Sequence, residues 1–193
     1  MDGSGQLMFA TIYLPNFYLQ AALRHQSESQ DKPAALIEEQ EKKPVIIQLN
    51  EAAEAVGVRK GMTPSQALAR YLHVVIKARA AMNEQSMQEM LLQSAFTLSP
   101  YVEATAPGVA TVRFTAWHRH LADDSCAGSA CHKVLRVIEQ LSECEIKAQA
   151  AIARTPDTSF LAAHLARPVL EVNDAKDFLG PLPIETLALT PSL

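Results

Sequence analysis

Apolar positions along the chain fall into short runs with two different periods. Leu7–Leu14 is rich in β-formers and loosely alternating, which predicts a buried strand. Pro15 ends it, Asn16 offers a cap, and Phe17–His25 reads as a helix. After the polar stretch Gln26–Lys32, two short strands, Ala34–Glu38 and Pro44–Leu49, flank the charged sequence EEQEKK as a solvated hairpin. Val74–Ala78 is a further short strand. Met87, Met90, Leu91, Ser94, Ala95 and Leu98 then recur at helical spacing and predict an amphipathic helix over Asn83–Leu98, its methionines filling the core. Tyr101–Thr105 and Val109–Phe114 read as strands around the turn Ala106-Pro107-Gly108. Helices follow at Ser129–Leu141, Thr155–Ala166 and Asp174–Leu179, with a strand at Glu145–Ile152. There is no strict βαβ alternation, so the pattern predicts an α+β fold, a sheet with helices on one face.

The densest local signals lie in Asn50–Tyr71. Glu51–Val56 is a run of good helix formers, and Gly57 supplies the left-handed residue at which such a helix ends. Gly61 serves a second turn. Thr63-Pro64-Ser65-Gln66 then carries an N-cap, a first-position proline and the glutamine of a capping box. Ala67, Leu68 and Tyr71 give the new helix an apolar stripe.

Composition narrows the function classes. The 193 residues suffice for a sizeable core, and 48% apolar content suits a globular chain. A net charge of −4 argues against a strongly electrostatic nucleic-acid binder, though a local basic face is compatible with it. No apolar run approaches the roughly 18 residues of a membrane span. The start MDGSGQLMFATIYL lacks a basic leader, and three irregularly spaced cysteines suit a reducing compartment, so a cytoplasmic location is expected. His118, His120, Cys126, Cys131 and His132 are zinc-type ligands, but their spacing matches no paired-ligand motif. Cys126 and Cys144 have acidic neighbours, which oppose a reactive thiolate. Asp123-Asp124 is explained by helix capping. Phosphate-loop, nucleophile-elbow and zinc-protease motifs are absent.

Three blocks, YLPNFYLQAAL, PVIIQLNEAAEAVGVRKGMTPSQALAR and LSPYVEATAPGVATVRF, together resemble the palm and fingers of Y-family translesion DNA polymerases. The segments around FLAAHLA and PLPIETLAL add to the likeness, which spans roughly residues 8 to 190. Within that family the chain is most similar to the ImuB-type branch, whose members are catalytically inactive mutagenesis adaptors. The resemblance implies palm-like segments at 1–33 and 80–168, a fingers-like segment at 34–79, and the start of a thumb at 169–193. The remaining thumb, the little-finger domain and the clamp-binding tail would lie beyond Leu193, so the chain is expected to be a fragment or a reduced variant.

The resemblance also implies where chemistry would be. Active members hold two magnesium ions about 4 Å apart, with acids at the end of the first strand and at the palm hairpin. The matching positions are Tyr13 and Pro15, and Gly108 and Val109. A tyrosine and an arginine that hold the triphosphate match Glu51 and Glu54, which would repel a phosphate tail. A later lysine matches Ser159, with Arg154–Pro156 a short insertion before it, and the side chain that excludes ribonucleotides matches Tyr18. Arg59, Lys60, Arg70, Lys77 and Arg79 are candidate weak template contacts.

The expected function is a non-catalytic adaptor in a bacterial DNA-damage response, needing no cofactor. The implied partners are a RecA-like accessory protein, an error-prone C-family polymerase and the sliding clamp. The alternatives are an active magnesium-dependent nucleotidyl transferase with its ligands elsewhere, Asp123 and Asp124 being the candidates, and a small-molecule-binding α+β regulator.

Overall fold

The computed structural model describes residues 7–24, 32–38, 43–114 and 130–187. They form two compact units, one of residues 1–15 and 89–193 and the other of residues 16–88.

The first unit is built on a five-stranded sheet in the order β5-β6-β1-β7-β8. Its central strand is β1 (Met8–Tyr13), the first strand the sequence predicts. β1 pairs antiparallel with β6 (Val109–Phe114) on one side and with β7 (Gln149–Ala153) on the other. β5 (Val102–Ala106) closes one edge as the hairpin partner of β6, with its turn at Gly108 (φ 72°). The other edge is β8 (Val169–Glu171), parallel to β7. β8 has no counterpart in the sequence reading, because three residues are too few to show a period.

Strand alternation gives the sheet two unlike faces. One carries Ala10, Ile12, Ala110, Val112, Ala150 and Ile152, all fully buried. The other carries Thr11, Tyr13, Val109, Thr111, Gln149 and Ala151. Helix α6 (Pro156–Leu165) packs Ala162 and Ala163 against Ala151 and Ala153 on this second face. The hydroxyl of Thr155 caps α6 by accepting from the Thr158 N–H. Helix α5 (Ala130–Glu143) buries Val134, Val137, Ile138 and Leu141 and exposes Lys133, Arg136, Glu139 and Gln140. The strand predicted from Glu145 begins only at Gln149. Glu145 is left-handed (φ 61°) and ends α5: its N–H bonds to Ser142 O and that of Ile146 to Leu141 O.

The second unit has a three-stranded sheet, β3-β2-β4. β2 (Ala34–Ile37) and β3 (Ile46–Leu49) form the expected antiparallel pair, and β4 (Val75–Ala78) lies parallel to β2. Helices α1 (Phe17–Leu23), α2 (Glu51–Ala55) and α3 (Pro64–Arg70) complete it. Helix α4 (Ala81–Phe96) starts in this unit, ends in the first, and buries Met87, Leu91 and Ala95 at four-residue spacing.

The unit boundaries differ from the segment limits expected at 33/34 and 79/80. α1 belongs with β3, since the Leu19 N–H bonds to Gln48 Oε1 (3.0 Å) and Asn16 Nδ2 to Leu49 O (3.0 Å). Asn16, left-handed at φ 49°, makes no side-chain cap on α1; its Nδ2 donates to β3 instead.

The Asn50–Tyr71 stretch folds as its turn chemistry predicts. Asn50 Oδ1 accepts from the N–H groups of Ala53 (2.9 Å) and Ala34 (3.0 Å), capping α2 and fastening it to β2. α2 ends at a left-handed Gly57 (φ 86°), with Val58 N–H on Ala53 O and Gly57 N–H on Glu54 O. Thr63 and Gln66 form the full capping box of α3.

Candidate functional site

The positions singled out at the end of the first strand are brought together by strand register. Tyr13 lies directly opposite Val109 across the β1–β6 ladder. The Leu14 N–H bonds to the Gly108 carbonyl at 2.8 Å, so the hairpin turn abuts the strand end just before Pro15. Opposed residues in an antiparallel ladder have Cα atoms about 4.5–5.5 Å apart. Tyr13, Gly108 and Val109 therefore share one small region of the sheet.

Its chemistry is aromatic and hydroxylic. The Tyr13 ring stacks on that of His164 from α6, with centroids 4.0 Å apart and planes at 28°. His164 Nδ1 donates to the Phe160 carbonyl (2.9 Å), and its ring also meets the Phe160 ring at 4.7 Å. Burial pushes the Tyr13 phenol above its ordinary pKa and the His164 imidazole below its own, so both are neutral near pH 7.

Behind this stack runs a chain of hydroxyls with a defined direction. Ser159 is fully buried and donates to the Pro156 carbonyl (2.8 Å). A hydroxyl has one proton to give, so Ser159 must accept from Thr11 (2.8 Å). Thr11 in turn accepts from Thr111 (3.2 Å), and Thr111 accepts from Thr105 (2.7 Å). Every buried hydroxyl in the chain is satisfied, and the exposed Thr105 connects it to solvent. Of this network the sequence flagged only Ser159. The threonines alternate correctly for one strand face, but register decides which ones meet.

These residues do not fit a pair of magnesium ions. The five strands contain two carboxylates, Glu103 on β5 and Glu171 on β8, and those strands are the opposite edges of the sheet. Four inter-strand spacings separate them, roughly 19 Å, whereas a two-metal site spans about 4 Å. β6, β1 and β7 contain none.

The second unit holds the other singled-out residues. Glu51 and Glu54 are exposed in the first turn of α2, where acids offset the helix dipole. Tyr18 is buried, with the Arg79 guanidinium 4.1 Å above its ring. Arg79 also makes a two-pronged bond to Glu84 (2.7 and 3.0 Å) and pairs with Glu38 (3.6 Å). The Glu84 bonds chiefly, and the carboxylate charges with them, hold its pKa above the ordinary arginine value. Arg59 Nη1 donates to the carbonyls of Glu54 (2.6 Å) and Val58 (2.8 Å). Lys60 and Arg70 are exposed, and Lys77 is half-buried on β4.

Of the zinc-type residues, Cys131 and His132 fall on α5, while His118, His120 and Cys126, like Asp123 and Asp124, lie outside the described residues. Among the described residues no three His, Cys, Asp or Glu side chains group as a metal site. Burial first, and Glu171 second, raise the Cys131 thiol pKa, the opposite of activation; Cys144 is exposed. No helix among the described residues is long and apolar enough to cross a membrane.

The backbone is similar to that of solved polymerases. DinB from Sulfolobus solfataricus matches with a TM-score of 0.72 at 13% identity, over 93% of this chain and 52% of that one. An insertion ternary complex of Dbh DNA polymerase matches at 0.75 and 12%, over 93% and 53%. A post-insertion binary complex of the same polymerase matches at 0.74 and 14%, over 93% and 52%. The chain thus spans about half the length of these structures. No curated protein sequence matches it. The model of the impB/mucB/samB family matches residues 12–164, which take in the β1 end, the β5–β6 hairpin and α6 as far as His164. A mixed sheet with this hairpin beside its first strand is the palm-like core of the Y-family polymerase fold, and the chain belongs to the impB/mucB/samB family.

Proposed function

We propose that this chain is a non-catalytic, polymerase-like adaptor of the ImuB type, serving translesion synthesis and induced mutagenesis in a bacterial damage response. One observation carries the reading: the three central strands of the palm-like sheet contain no carboxylate. The positions matched to the metal-binding acids are instead a phenol stacked on an imidazole, a proline, a turn glycine and a valine. The fingers-like segment 34–79 adds Glu51 and Glu54, whose charge opposes a triphosphate. Weak DNA contact falls to Lys60, Arg70 and Lys77, because Arg59 and Arg79 are committed internally. By resemblance the partners are a RecA-like accessory protein, an error-prone C-family polymerase and the sliding clamp. A small-molecule regulator is disfavoured, since it would not require the β5–β6 hairpin that pairs with β1.

The test is primer extension with magnesium and with manganese, alongside manganese binding followed by electron paramagnetic resonance. The expected result is no extension and an undiminished free-manganese signal. A variant carrying Tyr13→Asp, Gly108→Asp and Val109→Glu should gain manganese binding, as a positive control. Magnesium-dependent extension by the unaltered chain would overturn the proposal, and its loss in Asp123→Ala with Asp124→Ala would then locate the ligands.

A further inference from the structure

Helix α4 begins without an apolar anchor. None of residues 81–86 is buried, and Met82 is 79% exposed. The first buried side chain of the helix is Met87, followed by Leu91 and Ala95. Polar contacts hold the start of α4 instead. Asn83 Nδ2 donates to the Ala21 carbonyl of α1 at 3.0 Å. The Glu84 carboxylate takes both prongs of Arg79, which lies in the two-residue link between β4 and α4.

Arg79 is placed to close this segment down, because its guanidinium works through its edge and its face at once. The edge meets Glu84 (2.7 and 3.0 Å) and Glu38, just past the end of β2 (3.6 Å). The face lies over the Tyr18 ring of α1, 4.1 Å from its centroid. One side chain thus joins α1, the end of β2 and α4. A planar fork of donors can do this, and a lysine ammonium cannot. The Glu84 side chain is only 12% exposed, so its charge depends on this partner. Once Arg79 lets go, that carboxylate loses both charged hydrogen bonds, and no buried apolar side chain before Met87 resists opening.

We propose that Arg79 is a latch, and that residues 79–86 open and close together while α4 from Met87 onward stays packed. Closed, the latch hides a strip of α1: Arg79 covers one face of the Tyr18 ring, and Asn83 occupies the Ala21 carbonyl. Open, it bares both. The device lies wholly within the second unit and does not depend on the reading of the β1 end.

The experiment is hydrogen–deuterium exchange of the intact chain, resolved to single amides by NMR. Arg79→Ala should speed exchange at the Glu84–Gln88 amides about tenfold or more, the scale of losing hydrogen bonds between charged groups. The amides of β3, in the same unit, should keep their rates. Arg79→Lys should behave as Arg79→Ala. Tyr18→Phe, which keeps the ring face, should behave as the unaltered chain. Glu84→Gln keeps the shape and removes the charge, and should speed the same amides several-fold even if Arg79→Ala does not fold. Unchanged exchange at 84–88 in Glu84→Gln or in a folded Arg79→Ala overturns the proposal. So does full protection in Arg79→Lys, or an equal rise in β3, which would make Arg79 an ordinary contributor to the stability of the whole unit.

Discussion

The directed hydroxyl chain predicts that two residues without mutual contact are energetically coupled, with a definite sign. Thr105→Val alone removes an exposed hydroxyl and leaves Thr111 still donating to Thr11, so it should cost less than about 0.5 kcal/mol. Thr11→Val is nearly isosteric at a fully buried site and removes two hydrogen bonds, those to Ser159 and from Thr111, costing about 2 kcal/mol at roughly 1 kcal/mol each. The Thr111 proton must then turn to Thr105, and Thr105 donates to water. In the double variant that escape is closed. Thr111, only 7% exposed, keeps a donor with no acceptor, at a further cost of about 1–3 kcal/mol. The pair should therefore be more destabilising than the sum of its parts. Urea unfolding of the four proteins in a double-mutant cycle measures this directly. At about 2–4 °C per kcal/mol for a chain of this size, the excess loss is also visible in thermal midpoints. Additivity within about 0.3 kcal/mol would refute the directed chain.

Two further predictions concern stability. Gly57→Ala should cost about 1–2 kcal/mol in the same unfolding assay, because φ is 86° and a Cβ there meets nothing within 4 Å, so the penalty is backbone conformation alone. His164 has a folded pKa below its ordinary 6.5, so its unfolded form takes up a proton first as pH falls. Its contribution is complete above about pH 6.5 and is lost below it. The gap in urea midpoint between the unaltered chain and His164→Phe should shrink or reverse on going from about pH 8 to pH 5, and a constant gap would refute the assignment.

Much of the fold was legible because it is written in local chemistry. The cap at Thr63, the left-handed glycines 57 and 61 and the hairpin turn at Gly108 depend on residues a few positions apart. The edge strand β8 and the end of α5 were not legible. The first is three residues long, and the second ends on a left-handed glutamate where glycine is the usual signal. The resemblance singled out Tyr13, Gly108, Val109 and Ser159, but the stack of Tyr13 on His164 and the Thr105–Thr111–Thr11–Ser159 chain were invisible. Their partners come from strands and a helix up to 151 positions apart.

By itself, then, the sequence determined most of the elements, their terminators and the absence of acids from β1, because these follow from residue type and short-range backbone preference. Only the tertiary structure decided that Tyr13 faces Val109, that Glu103 and Glu171 stand at opposite sheet edges, and that Leu72 is left uncovered. Register, strand order and burial are set by which apolar faces pack together, and that is a property of the whole core rather than of any one stretch.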